Sequence, residues 1–196
     1  MRIIIIMALL VLIGFGFLAV GYTAEQASLR AEAEKARAAS QMFAKTLKSQ
    51  LIAAIKAGGP KSAIPVCQQI APAISAQYSK DGLQIGRTAL KLRNPANAPD
   101  DWERSVLEGF AKAMEKGADP KTLERFAFFT SKAGGKTFRY MKAIPVGEPC
   151  LACHGSTISP AVQAALDEYY PDDQATGFAL GDLRGAFTVR EVMPKS

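Results

Sequence analysis

Arg125-Phe126-Ala127-Phe128-Phe129-Thr130-Ser131 and Lys136-Thr137-Phe138-Arg139-Tyr140-Met141-Lys142-Ala143-Ile144 are two runs rich in Phe, Thr and Tyr, separated by a segment containing Ala133-Gly134-Gly135. Aromatic and β-branched side chains suit a pleated, half-buried surface, and a Gly-Gly pair supplies the positive φ that a tight reversal requires. The stretch reads as a β-hairpin whose second arm runs into Pro145.

Further elements group around it. Leu83 to Thr88, Gly177 to Leu180 and Arg184 to Val192 read as short strands. Ala24 to Ala57 is rich in Ala, Glu, Lys, Arg and Gln, free of Pro and Gly, and carries Leu29, Phe43, Leu47, Leu51 and Ile55 at helical spacing, so it reads as one long helix ended by Gly58-Gly59-Pro60. Its first half, Glu25 to Ala39, lacks large apolar residues and reads as a solvated stalk, with packing expected from near Met42. Lys61 to Tyr78 is again helical, with Pro65 and Pro72 at a first turn or a kink on either side of Cys67. Arg93-Asn94-Pro95-Ala96-Asn97-Ala98-Pro99 is a loop, after which Asp100 or Asp101 caps a helix to about Lys116. Ser159, with Pro160 at the first position, opens a helix ending near Tyr170. Helices followed by a small antiparallel sheet define an α+β domain.

With 196 residues, 48% of them hydrophobic and 21% charged, the chain has the composition of one ordinary globular domain. Its net charge of +6 suits an acidic partner or an anionic membrane surface, but the basic residues are scattered rather than clustered on a stripe, which argues against nucleic acid. Ile3 to Tyr22 is uncharged and almost wholly apolar, with Arg2 before it and the charged run Glu25 to Arg37 after it. A cleavable leader core is about 7–15 residues long, whereas about 20 apolar residues span a bilayer. The length favours a retained anchor over a signal peptide cut near Ala19-Val20-Gly21, and either way the rest of the chain lies on the exported, periplasmic side.

Pro145 leads to Cys150-Leu151-Ala152-Cys153-His154, which holds two of the three cysteines and the single histidine of the chain. In C-x-x-C-H the thiols add to the two vinyl groups of a haem and the adjoining imidazole becomes a ligand of its iron. A zinc site would have only Cys67 and the one histidine to complete the pair. A thioredoxin-like pair belongs at the start of a helix after a strand, whereas helix is expected here only from Ser159. One covalently attached haem c is the expected cofactor. The opposite iron position is open to water, a gas, Met42, Met114, Met141, Met193, Lys or a thiolate from Cys67, which otherwise is a small buried hydrophobe or an intermolecular disulfide partner.

Several segments together resemble the c-type haem domain family with a PAS-like fold, found in small exported cyanobacterial haem proteins and in sensor halves of bacterial histidine kinases. They are Val66-Cys67 with Ala71-Pro72, Ile85-Gly86-Arg87-Thr88, the loop Arg93 to Pro99 with Trp102-Glu103, Pro149 to Gly155, and Tyr170 to Gly177 with Gly181-Asp182-Leu183-Arg184-Gly185-Ala186. The resemblance implies a PAS-like antiparallel sheet flanked by helices over residues 44–196, preceded by an anchor or signal helix (1–22) and a helical stalk (23–43). It also implies iron ligation by His154 and Cys67. Arg87 and Arg93 lie in matching stretches, where guanidinium suits either carboxylate recognition of haem propionates or an ordinary ion pair. Phe126, Phe128, Phe129, Phe138 and Tyr140 either wall the haem or form plain sheet core, and contact with the haem is expected of some of them.

The function expected from this is electron transfer, or redox-linked service to a partner protein or membrane complex, by an anchored mono-haem cytochrome. A haem-based redox or gas sensor acting through a partner is the alternative. An enzyme would need an open iron face and distal acid-base groups, and none is expected. Gly14, Gly16 and Gly21 would permit close helix contact in a membrane complex.

Overall fold

A computed structural model describes the backbone of residues 2–194 and the side chains of residues 24–194. The chain forms two compact units, Met1–Lys35 and Ala36–Ser196. The first unit is helical and belongs to helix α1 (Arg2–Gly58). The anchor expected at Ile3 to Tyr22 lies outside the described side chains. Among the described residues no helix is long and apolar enough to cross a membrane.

In the second unit α1 contributes a buried stripe of Ala36, Ser40, Phe43 and Leu47, recurring every third or fourth residue. Packing therefore starts before Met42, which is 56% exposed. Ala36 and Ser40 are too small to register as core when only large apolar residues are sought. Gly59, at φ 76°, turns the chain out of α1. The helical stretch expected over Lys61 to Tyr78 forms as three pieces, a 3₁₀ turn Pro60–Ala63, a π-helical turn Val66–Ile70, and α2 (Ala71–Tyr78), with Pro72 in the first turn of α2. Cys67 sits in the π turn, a widened helical geometry often found where a side chain is presented for function.

Strand β1 (Leu83–Thr88) follows as expected and is tied to α2 by two serines. Ser79 Oγ accepts from the Ile85 N–H at 3.0 Å and Ser75 Oγ donates to the Ile85 carbonyl. Helix α3 (Asp101–Glu115) opens with a capping box in which Asp100 and Glu103 accept from each other's backbone N–H at 2.9 and 3.1 Å. The hairpin is β2 (Glu124–Thr130) and β3 (Lys136–Pro145), with Phe126 opposite Tyr140 and Phe128 opposite Phe138. With β4 (Leu183–Val192) these strands make a four-stranded antiparallel sheet of order β1-β4-β3-β2. The strand expected at Gly177 to Leu180 does not form. Gly177 and Phe178 instead donate to the carbonyls of Gly155 and His154, both at 3.0 Å, so this segment pairs with the end of the cysteine motif rather than with the sheet.

Period-two alternation gives the sheet two buried faces. Met141, Ala143 and Ala186 meet Val106, Leu107 and Phe110 of α3. The alternate residues Phe138, Tyr140 and Val189 are fully buried on the other face, where Phe43 of α1 meets Phe187 edge-on at 5.8 Å. None of the five hairpin aromatics lines the cavity described below; Phe138 and Tyr140 are sheet core, Phe126 and Phe128 are half-buried beside them, and Phe129 is exposed. β3 breaks register at Ile144/Pro145 and runs into α4 (Glu148–His154), with Pro149 in its first turn. Helix α5 (Pro160–Tyr169) follows Ser159 as expected.

Glu124 joins α1 to the hairpin: Arg37 donates to it through Nε (3.1 Å) and Nη2 (2.7 Å), and Tyr140 Oη donates at 3.0 Å. The Arg37 hydrogen bonds, reinforced by Tyr140, hold the carboxyl below its ordinary range despite its partial burial. Because the folded value lies below the unfolded one, near 4.5, this contribution is complete above that pH and is lost as pH falls through the folded value. Glu124→Gln should cost about 1–2 kcal/mol at pH 7. In chemical denaturation the variant should also lose less stability than the wild type on acidification below pH 4.5.

Candidate functional site

Cys67, Arg87, Arg93, Cys150, Cys153 and His154, singled out across almost ninety positions of sequence, all line one cavity. Leu51 and Ile55 of α1, Ile64 and Leu166 supply apolar wall, and Tyr170, Arg184 and Gly185 complete the rim near α4. All three cysteines are free thiols. No methionine among the described residues lines the cavity: Met42 is exposed and Met141 is core beneath α3.

Helix α4 presents the motif. Cys150 and Leu151 pack against Val146, Ala175 and Phe178, while Cys153 packs against the α5 cluster of Val162, Ala165 and Leu166. The motif thus lies on a short helix directly after a strand, contrary to the expectation that helix begins only near Ser159. Pro149, with its φ already helical and no N–H to satisfy, suits the first turn and lets so short a helix form. Helix position therefore does not separate this motif from a dithiol pair; its neighbours do, because an imidazole, a third thiol and arginines share the cavity.

His154 Nδ1 lies 2.6 Å from the Ala175 carbonyl oxygen. A carbonyl only accepts, so the ring proton is on Nδ1 and Nε2 keeps its lone pair, the form in which an imidazole binds a metal. Arg93 Nη1 at 3.3 Å and Arg184 Nε at 3.5 Å face that lone pair. Burial, and then the charges of Arg184 and Arg93, push the imidazole pKa down to about 3, so the ring is neutral across the physiological range. Burial also pushes the Cys153 thiol up.

The three arginines differ. Arg93 is spent on protein acceptors. It pairs with Asp173 at 2.8 Å through Nη2 and 3.0 Å through Nε, and Nη2 also reaches the carbonyls of Cys153 (2.5 Å) and Ala175 (3.2 Å). Of the two roles the sequence left open for it, the ion pair is the one present. Arg87 has no hydrogen-bond or ion-pair partner among the described residues; burial lowers its pKa against the opposing influence of Cys67 and Tyr170. Arg184, which the sequence reading did not single out, donates to the Lys91 carbonyl at 3.3 Å and lies over the Phe178 ring at 5.5 Å, without a carboxylate partner among the described residues. Burial, then Arg93 and Arg87, bring its pKa down to about 10, so it remains cationic at neutral pH. Its signal was its place in Gly181-Asp182-Leu183-Arg184-Gly185, one of the segments that carried the family resemblance. Tyr170 was also missed as a lining residue; burial and the neighbouring Cys67 raise its phenol to about 12, which keeps it a neutral donor.

These features define an α+β protein in which sheet and helices close on an apolar cavity carrying thiols, a neutral imidazole and cationic side chains. The chain belongs to the Tll0287-like family, whose model matches residues 22–191. It is similar to the crystal structure of the cyanobacterial haem protein Tll0287, at 28% identity over 79% of this chain and 92% of that one, with a TM-score of 0.52. No curated protein matches it in sequence.

Gly155 closes α4 where a Cβ would stand 2.6 Å from the Leu151 carbonyl oxygen. Backbone cannot yield there as a flexible side chain would. Gly155→Ala should displace the end of the motif helix and cost about 1–3 kcal/mol in thermal unfolding, whereas Gly109→Ala, where nothing lies within 4 Å, should not destabilise.

Proposed function

We propose that this chain is a mono-haem c-type cytochrome that transfers single electrons to a partner protein or membrane complex. Cys150 and Cys153 would hold the haem covalently, and His154 and Cys67 would ligate its iron. The observation that carries this reading is the convergence of the motif thiols, a neutral imidazole whose unprotonated Nε2 faces the cavity, and Cys67 on one cavity. Kinship with a haem protein adds to it.

The residues fit the group. Cys67, Cys150, Cys153 and His154 line the same cavity, a donor set that suits a haem attached through two thiols with its iron held by imidazole and thiolate. The apolar walls suit a macrocycle, and Arg87 and Arg184, cations without carboxylate partners, suit its two propionates. Bound there, haem would supply one-electron redox chemistry.

The chain's own residues do the rest. Ala175 fixes the imidazole tautomer through Nδ1, Cys67 offers an anionic donor that favours ferric iron and a low potential, and the hydrophobic wall limits water. With His154 and Cys67 both assigned as donors to the iron, we assign no enzymatic role. We place the domain on the periplasmic face of the cytoplasmic membrane, anchored through residues 1–22, with a PAS-like fold and no nucleic-acid partner. Its positive charge suits an acidic redox partner.

The purified protein should keep its haem through denaturing electrophoresis and show a low-spin His/thiolate ferric spectrum. Cys67→Ala should abolish the thiolate features and raise the midpoint potential. An unchanged spectrum would remove Cys67 from the ligand set, and haem lost on denaturation would remove the covalent linkage. Ready binding of CO or NO by the reduced wild type would favour sensing over electron transfer.

A further inference from the structure

We infer that the buried Arg93–Asp173 pair is the positioning device of His154, fixing the plane and tautomer of its imidazole and setting the charge beside the ligand nitrogen, from which Arg93 Nη1 stands 3.3 Å. This rests on the reading that His154 ligates a haem iron.

The pair brings together three stretches remote in sequence. Arg93 follows β1, Asp173 and Ala175 follow α5, and Cys153 and His154 end α4. Both side chains are only 8% exposed. A buried ion pair repays its desolvation only when geometry is good and the remaining donors and acceptors are used, so its worth lies in arrangement more than in stability.

Here they are used on the motif. Asp173 Oδ1 accepts from the Ala175 N–H at 2.8 Å, while Arg93 Nη2 donates to the Ala175 carbonyl at 3.2 Å. One ion pair therefore holds Ala175 by both its backbone N–H and its carbonyl, and that carbonyl receives the His154 Nδ1–H at 2.6 Å. Arg93 Nη2 also grips the Cys153 carbonyl, one residue before the imidazole. The Gln174 N–H to Leu92 carbonyl bond, 2.8 Å, ties the two loops alongside. Rotation of the ring would cost the Nδ1 bond, and the acceptor cannot follow because Arg93 and Asp173 pin it.

The same pair sets a local charge. With both partners present it is close to neutral. Without Asp173 a cation would stand beside the ligand nitrogen and disfavour ferric iron; without Arg93 an anion would do the reverse. A merely structural loss has no such sign.

The test uses the full-length haem-loaded protein and variants Arg93→Lys, Arg93→Gln, Asp173→Asn and the Arg93→Gln/Asp173→Asn double variant, with ferric EPR and midpoint potential as readouts. Asp173→Asn should raise the potential and Arg93→Gln should lower it. The double variant should return nearer the wild type than either single one. Arg93→Lys, which keeps the charge and loses the fork, should leave the potential close to that of the wild type while changing the EPR g-anisotropy that reports ring orientation. Single variants that move the potential in the same direction, or not at all, would overturn the inference. If the charge-removing variants do not accumulate, Arg93→Lys decides: unchanged g-values overturn it. A wild type without a His-ligated haem spectrum would sink the proposed function itself, whereas an intact wild-type spectrum with unmoved variants sinks only this inference.

Discussion

The carbonyl of Ala175 is the point on which the site turns. It accepts from His154 Nδ1 and from Arg93 Nη2, and the backbone N–H of the same residue is held by Asp173. Because the carbonyl can only accept, it decides which imidazole nitrogen carries the proton and leaves Nε2 with its lone pair toward the cavity. Around it the Gly177 and Phe178 N–H groups cap the end of α4, so the segment that failed to become a strand instead closes the motif. A metal ligand oriented by a backbone carbonyl that is itself anchored by an ion pair is a common form of support around metal sites.

Electrostatics gives the cavity its direction. Arg87, Arg93 and Arg184 line it, and Asp173 answers only Arg93. Positive charge held away from water is costly unless an anion meets it, and the lowered basicity of Arg87, Arg184 and His154 expresses that cost. A thiolate at Cys67 and two carboxylates of a bound cofactor are anions of the kind that would settle the balance. The proposed haem thus accounts for the thiols and the arginines together.

The sheet supplies rigidity rather than ligands. Its two faces are filled by α3 and by the second-unit part of α1, and the Glu103 carboxylate, accepting from Thr188 at 2.6 Å and pairing with Arg139 at 3.3 Å, locks α3 to β3 and β4. The site gathers beyond the sheet's registered part, where β3 breaks register at Pro145 and runs into α4, and where β1 gives way to the Arg93 loop. Loops and a short helix fixed to a well-packed sheet can hold donors in place without being core themselves.

Local chemistry was legible in the sequence. The Gly134-Gly135 hairpin, the cap at Asp100, Pro160 at the start of α5 and the covalent logic of Cys150 to His154 depend on residues a few positions apart, and the structure has the hairpin, the cap and the helix start where they were expected. The resemblance of scattered segments singled out Cys67 among the candidate ligands and added Arg87 and Arg93, which share one cavity with it, but it left the roles of the arginines undivided. Tertiary structure alone decided that Arg93 is spent on Asp173 and that Arg184 stands by the imidazole. It also decided that Ala175 fixes the tautomer and that Phe138 and Tyr140 fill the sheet. The reason is physical: periodicity and capping are written within a turn or a strand. Which donor meets which acceptor across 21, 61 or 80 residues depends on how the chain packs.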